Sequence, residues 1–534
     1  MRSHLLSQSQ SHLSTTMPAG PDDLASSGLS TALLSPSLPS NSHHDAAMGV
    51  DEMLRSFAGE FGAWQLRHFT LVSLAWALNA FHTMVVVFAD REPDRRCVGR
   101  AGCCAEPGSW EWSSGPGAST VAEWGLVCGE KYKVGMAQSA FFVGSMIGAG
   151  IFGHLSDSSL GRKGTLIVTT ALNAVFGLLT ALSPSFWSYA ALRFLTGLAT
   201  GGVGLSAFSL ATEPVGPSMR APVAMSTFYF FSLGAVLLAL MAASFSNSWR
   251  TLYTISSLPS FLFLVAVLPF VSESPRWYLV HHDIPRAMEV MRTIAKTNGN
   301  QLPDNISLLL DSDISQNTLP TSNIIDVIHS PITRTRLILT VAINFLSSIV
   351  YYGLSLNVGN LSTDLYTSVI LNAIAEVPAY ALTAMCLKWS GRRPLTIGTM
   401  WLSGMFCAAG SLLPDIRVWS AVRTACSVVG IFSMAATFDL LFIYTAELFP
   451  TVVRSAALGC VTQAGQTGAI AAPLVVVLGG NWPFGVFGVC GVVGGVLGFF
   501  LPETLNRPFY DTMAGLVSGE MGKGVEDGHG HFVC

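Results

Sequence analysis

Apolar residues in this chain fall in long unbroken runs separated by short polar or charged interruptions, neither alternating nor confined to one helical stripe. A run of about 20 mainly apolar residues is the length a helix needs to cross a hydrocarbon core. Twelve stretches meet that ruler: 69–89, 134–153, 166–184, 186–210, 222–244, 250–271, 337–358, 366–387, 395–413, 416–446, 455–479 and 481–501. Six precede the polar stretch 272–335 and six follow it. The pattern predicts an all-α membrane protein with twelve transmembrane helices in two pseudo-symmetric six-helix bundles. The expected organisation is a structureless cytosolic tail over 1–65, an N-terminal bundle over 66–271 with an extracytosolic loop 90–133, a cytosolic linker 272–335 with room for short helices, a C-terminal bundle 336–505 and a cytosolic tail 506–534.

The two halves repeat each other. GHLSDSSLGRKGT (153–165) returns as CLKWSGRRPLT (386–396), with Gly161 and Arg162 reappearing as Gly391 and Arg392 at an offset of 230. Arg193 and Arg423, and Glu273 and Glu503, keep that offset, while Glu213/Arg220 and Glu447/Arg454 repeat at 234. A doubled apolar chain with the same charged corner in each half has the form of a transporter built from parallel membrane repeats.

Composition agrees: of 534 residues, 50% are hydrophobic and 11% charged, against about 25% charged in soluble proteins. A net charge of −4 gives no reason to expect nucleic acid. The first 65 residues are rich in Ser and Pro and contain no signal-peptide run, so the first span is expected to act as the signal. Residues 1–21, Ser-rich and free of acids, also look like an organellar transit peptide. Basic residues in short loops (Arg162, Lys163, Arg220, Arg276, Lys388, Arg392, Arg393, Arg454) all fall on one side of the plan, which is expected to be cytosolic. The opposite loop 90–133 has six basic residues and seven acids, but long loops largely escape that rule. It also holds Cys97, Cys103, Cys104 and Cys128, disulfide candidates of unresolved connectivity for an oxidising compartment. No Cys/His spacing suits a metal, no nucleophile and base share a face, and neither cofactor nor enzymatic activity is expected.

In each corner a glycine permits a tight reversal, Asp157 is placed to cap or neutralise a helix end, and Arg162/Lys163 or Arg392/Arg393 face carboxylates. A plain topological anchor explains one such corner, but does not demand the same spacing twice. Glu213 with Arg220 and Glu447 with Arg454 flank proline-containing breaks as carboxylate–guanidinium sets that either join helix ends permanently or release them between states. SESPRWYL, with Glu273 and Arg276, closes the first half as LPETLNRP closes the second. Few strongly polar residues interrupt the apolar runs: Glu376, Asp439, Gln466, Asn344, Arg193 and Arg423. A charge at the bilayer centre costs at least about 2.5 kcal/mol and marks a pathway by default. Glu376 lies about 18 Å into the eighth span, before Pro378, where a broken helix would line a cavity; Asp439 lies about 12 Å from the end of the tenth. The alternative for these acids is burial against Arg193 or Arg423. Phe228, Tyr229 and Phe231, and Tyr351 and Tyr352, are either a cation–π wall or packing. GLATGGVG (197–204) reads as close helix packing.

GHLSDSSLGRK, ALRFLTG, TEPVGPSMR, SESPRWYL, YYGLSLNVGNLSTDLY, AEVPAY, AELFPTVVR and LPET together resemble the major facilitator superfamily (MFS). More closely they resemble the organic cation/carnitine transporters, with NVGNLSTDLY similar to the plant branch. The resemblance covers about residues 60–510. It implies that Tyr351 and Glu376 face a central cavity, with Phe228, Asp439 and Gln466 at other cavity positions. Gln466 departs from the pattern, since cation carriers often have an acid there and anion carriers a base. The implied function is secondary transport of small organic cations or zwitterions, carnitine- or polyamine-like, by alternating access, coupled to a proton or sodium ion. The expected place is the plasma membrane, with the vacuolar membrane as alternative. A sugar:proton symporter is the nearest competitor, disfavoured because INFLSSIVYY lacks the paired glutamine of sugar carriers; a non-transporting receptor is disfavoured by the intact corners.

Overall fold

The computed structural model describes residues 46–97, 110–245, 247–303, 306–309, 324–361, 364–387, 389–414 and 417–505, together with 513, 515, 516 and 518. Twelve long helices make up its body: α1 (Ala63–Ala89), α2 (Tyr132–Asp157), α3 (Gly161–Ala181), α4 (Phe186–Thr212), α5 (Pro217–Ser244) and α6 (Trp249–Ala266), then α7 (Pro331–Leu356), α8 (Leu365–Cys386), α9 (Arg392–Leu412), α10 (Arg417–Leu448), α11 (Thr451–Val476) and α12 (Trp482–Gly498). Among the described residues ten helices are long and apolar enough to cross a membrane. Of the remaining two, α11 has 26 residues and α12 only 17.

Local chemistry sets many of the ends. The side chains of Ser185, Ser248 and Asp364 accept backbone N–H groups at the starts of α4, α6 and α8, and prolines open α5 and α7. Helix α7 begins at Pro331, earlier than hydropathy suggests, because its first turns carry Arg334 and Arg336. The buried Arg336 donates to the Leu448 carbonyl at the end of α10 (3.2 Å), so a polar residue extends this helix inside the protein. Helix α8 runs unbroken through Pro378, contrary to the expected break. The proline removes one backbone donor without ending the helix.

The helix packing repeats across the halves. α2 lies along α4, α3 along both α4 and α6, and α1 along α5; the same pairs recur as α9 with α10 and α12, and α7 with α11. The halves meet along α2 with α11 and α5 with α8, helices exchanged by the pseudo-twofold. Close approach of α2 to α4 depends on missing side chains: a Cβ at Gly148 or Gly197 would collide with the carbonyl of Leu198 or Phe141. Small polar side chains share the apolar interior, and large apolar ones face outward. Thr165, Thr169, Thr340, Ser347 and Thr437 are buried, whereas Leu262, Val265, Ile374 and Val489 are exposed where hydrocarbon would surround them.

The segment 46–65, expected to be part of a structureless tail, is ordered. β1 (Ala46–Met48) pairs in parallel with β4 (Ile306–Leu308), and short helices follow at Val50–Met53 and Leu54–Ala58. Val50, Met53 and Leu54 pack with Leu279, Met288, Met291 and Ile294, the last three on the amphipathic helix Ile284–Thr297. Its apolar stripe is too short to stand out from the Ser/Pro-rich stretch before it. On the opposite face β2 (Arg95–Cys97) pairs antiparallel with β3 (Trp110–Trp112), and the helix Thr120–Trp124 is fixed by Glu123, which accepts from Trp249 Nε1 (2.7 Å) and Arg250 Nη2 (2.5 Å). Of the disulfide candidates, Cys128 is exposed with a free thiol. Cys97 contributes its backbone to β2, and Cys103 and Cys104 lie outside the described residues.

Candidate functional site

Two charged corners occupy one face of the molecule, and a cluster of acids and aromatic rings lies between the halves. In the first corner the Arg162 and Lys163 N–H groups at the start of α3 donate to the Glu273 carboxylate (3.0 to 3.1 Å). Arg162 Nε donates to Glu213 at 3.0 Å, and its Nη1 reaches the Ser156 carbonyl (2.8 Å) and Asp157 (2.9 Å). Ser274 Oγ donates to the other Glu213 oxygen. The second corner repeats this layout. The Arg392 and Arg393 N–H groups donate to Glu503 (2.9 and 3.1 Å), and Arg392 forks onto Glu447 through Nε (3.0 Å) and Nη2 (3.1 Å). Thr504 Oγ1 takes the place of Ser274, donating to Glu447 at 2.6 Å. These guanidinium and carboxylate side chains are only 14–17% exposed, so they are sheltered from the screening that weakens surface pairs. A carboxylate on the free N–H groups of a helix start is favoured by both hydrogen bonding and the helix dipole.

The structure changes the expected pairing in three ways. Glu213 pairs with Arg162, not with Arg220; Arg220 Nη2 instead meets Asp51 (2.6 Å), which Arg276 also contacts. Arg276 Nε adds a bond to the Glu213 carbonyl (3.3 Å). Glu447 likewise pairs with Arg392, while Arg454 is half-buried early in α11. Lys163 reaches Glu273 through its backbone rather than its ammonium group. Lys388 lies outside the described residues. Asp51, Ser274 and Thr504 were missed because their partners lie far away in sequence.

Between the halves, Glu376 on α8 is 4% exposed and Asp439 on α10 is 3% exposed. Glu376 accepts from Ser232 Oγ on α5 (2.6 Å), from Tyr351 OH on α7 (2.9 Å) and, at a long 3.5 Å, from Tyr380 OH. Asp439 Oδ1 has no hydrogen-bond partner among the described residues. Among the described residues the hydrogen bonds of Glu376 do not include Arg193 or Arg423. Arg193 donates to the His82 carbonyl (2.9 Å) and Gln138 Oε1 (2.6 Å) beneath the Phe141 ring, and Arg423 donates to the Leu413 carbonyl (2.8 Å).

Rings surround the acids. Trp76 packs on Phe228 (5.6 Å between centroids), Phe228 and Tyr229 on Tyr380 (5.9 and 5.6 Å), and Tyr351 and Tyr352 on Phe438 (5.0 and 6.3 Å). Tyr229 and Tyr380 lie within electrostatic range of Asp439. The structure thus brings Phe228, Tyr351, Glu376 and Asp439 together, and adds Trp76, Ser232 and Tyr380. Phe231 packs into the N-terminal core instead. Gln466 is half-buried on α11, with no side-chain hydrogen bond among the described residues.

The chain matches the family model described as sugar (and other) transporter over residues 71–514. It is 58% identical to organic cation/carnitine transporter 4 of Arabidopsis thaliana, over 91% of this chain and 94% of the relative. It is 33% identical to organic cation/carnitine transporter 2 of the same plant (89% and 95% covered) and 31% identical to an organic cation transporter protein of Drosophila melanogaster (87% and 94%). Among solved structures, the xylose transporter XylE from E. coli in a partially occluded inward-open conformation is similar in fold, with a TM-score of 0.63 at 16% identity, covering 84% of this chain and 100% of that one. Repeated helix packing, duplicated corners and these likenesses agree: the chain is an integral multi-pass membrane protein of the major facilitator superfamily, and belongs within the sugar (and other) transporter family to the organic cation/carnitine transporters.

Proposed function

We propose that the protein carries small organic cations or zwitterions across the membrane by alternating exposure of the site at Glu376 and Asp439. One observation carries this reading: two carboxylates are buried between the halves with no cationic side chain paired with either among the described residues. A buried charge without a partner is costly, and a substrate ammonium group would supply the missing countercharge. The rings of Phe228, Tyr351 and Tyr380 suit the methyl groups and positive face of such a head. The names of the Arabidopsis relatives point to the same substrate class. In this reading the face carrying the charged corners is cytosolic. Arg162 with Glu213 and Arg392 with Glu447 hold helix ends in one state and part as the halves rock.

Uptake of labelled tetramethylammonium into proteoliposomes, with and without an imposed proton or sodium gradient, tests the reading and identifies the coupling ion. Glu376→Gln keeps size and removes charge, and is expected to reduce uptake at least about tenfold, equivalent to roughly 1.4 kcal/mol. Asp439→Asn is expected to have a smaller effect, since Asp439 lies nearer the corner face. Undiminished uptake by well-expressed Glu376→Gln protein would rule out this carboxylate as the essential partner.

A further inference from the structure

A second chamber lies between the halves near the loop face, with a volume of about 120 Å³. The N-terminal half contributes Asp90, Arg91, Glu92, Lys131 and Gln138, and the C-terminal half an apolar wall that includes Leu356, Pro473 and Val476. Asp90, which ends α1, is 8% exposed. Its Oδ1 accepts from Thr120 Oγ1 (2.6 Å) and Tyr189 OH (2.8 Å), which fix the carboxylate, while Oδ2 is buried without a partner among the described residues. The nearby positive charges are engaged elsewhere: Arg91 Nη1 donates to Tyr366 OH (2.7 Å), Lys131 Nζ lies 3.9 Å from Glu92, and Arg193 serves His82 and Gln138.

We propose that this chamber is a second binding site for a small methylated ammonium group, with Asp90 as its anionic ligand, on the route between the loop face and the central acids. The inference rests on the cation-transport reading above. One carboxylate oxygen held by two donors and one left bare is a prepared acceptor, and the opposing aliphatic wall suits methyl groups better than a hydrated metal ion. Because both halves line the chamber, it changes shape whenever they move apart on this side, so ligand held there is passed on or released by the same motion.

Protons compete for Asp90. Burial pushes its carboxyl up to about 6, against the lowering influence of Thr120, Tyr189 and Arg193. The other groups facing it are Tyr253, which shares a hydrogen bond with Tyr189 (2.9 Å), and Arg91, Glu92 and Lys131 around the chamber; the lining residues from α7 and α11 carry no charge. Ammonium binding here therefore weakens as pH falls through about 6.

Equilibrium binding of labelled tetramethylammonium to full-length protein carrying Glu376→Gln and Asp439→Asn isolates this site. Saturable binding is expected that weakens on acidification and is reduced at least about tenfold by Asp90→Asn, which keeps the acceptor for Thr120 and Tyr189. Gly359→Phe gives the same loss without touching Asp90, since Gly359 lines the chamber and a Cβ there meets nothing within 4 Å. Absence of saturable binding in the Glu376→Gln, Asp439→Asn background, or binding that neither Asp90→Asn nor Gly359→Phe reduces, overturns the proposal. Uptake by the parent protein is scored separately. Retained chamber binding with no parental uptake defeats the transport reading and leaves the chamber standing.

Discussion

The two charged corners share a skeleton and differ in what surrounds it. In each, an arginine opening the third helix of its half pairs with a glutamate ending the fourth, and a second glutamate accepts N–H groups from that opening turn. The first corner has additional ties. Asp157 pairs with Arg162, whereas Leu387 stands at the matching position of the second, and Asp51 joins Arg220 and Arg276. Asp51 comes from a segment that precedes the repeat and has no counterpart among the described residues of the second half. The duplicated part is what a helix start needs to hold a carboxylate; the unduplicated part makes the N-terminal corner the more firmly tied.

The largest effect should come from removing each arginine. Arg162→Ala and Arg392→Ala are expected to slow substrate turnover at least about tenfold while leaving KM within severalfold, because they act on the balance between states. Arg392→Ala should be the more severe, since among the described residues Glu447 is the one acid that pairs with its side chain. Proteoliposome uptake corrected for protein content reads this; two well-expressed variants with normal turnover would defeat the switchable lock and leave a topological anchor. A smaller difference is expected at the glycines. Gly161 has φ +76° and Gly391 φ −62°, and a Cβ at either would press on Glu273 or Glu503. Gly161→Ala should therefore cost about 1 kcal/mol more than Gly391→Ala, measured by unfolding in detergent, with equal losses contradicting the difference in backbone strain.

The smallest effect concerns acid. Burial raises the Glu273 carboxyl above its ordinary value of 4.5, outweighing the N–H groups of Ser274, Lys163 and Arg162. At Glu503 burial also pushes upward, but N–H groups of Leu505, Arg392, Arg393 and Thr504 outweigh it and the net shift is downward. A carboxylate lowered in the folded state contributes stability that is present above its unfolded value and lost as pH falls through the folded one; a raised carboxylate does the reverse, favouring the folded state below its unfolded value. On acidification below about pH 4.5 the Glu503 contact therefore loses stabilisation while the Glu273 contact does not, so the α9 end should loosen before the α3 end. Accessibility of single cysteines placed beside each corner checks the order; simultaneous loosening would show the two carboxylates to be equivalent.

Much of this was legible because the chain is duplicated. Arg162 and Arg392 stood out by recurring at one spacing, and Glu376 and Asp439 by interrupting apolar runs. The partners of these residues were not legible. Ser232 and Tyr380 look like ordinary helix residues until α5 meets α8, and the role of Asp51 depends on a fold around Met53 and Leu54 whose apolar stripe spans little more than two turns. Pro378 was misleading for a related reason: proline guarantees a missing donor, but whether the helix breaks depends on its neighbours.

The pairing of β1 with β4 bears on how the halves are leashed. Leu309 N donates to the Met48 carbonyl (3.0 Å), so the connecting segment is moored to the N-terminal half up to that residue. At the other end, Thr333 Oγ1 holds the Val327 carbonyl (2.7 Å) and Val327 is buried within the C-terminal half. The reach between the moorings is therefore set by the chain length from Leu309 to Ile324 and not by the whole of 272–335, a contour of at most about 50 Å at roughly 3.3–3.6 Å per residue. Any limit that chain connectivity places on rocking is therefore set by this reach and its two moorings, and not by the full polar stretch.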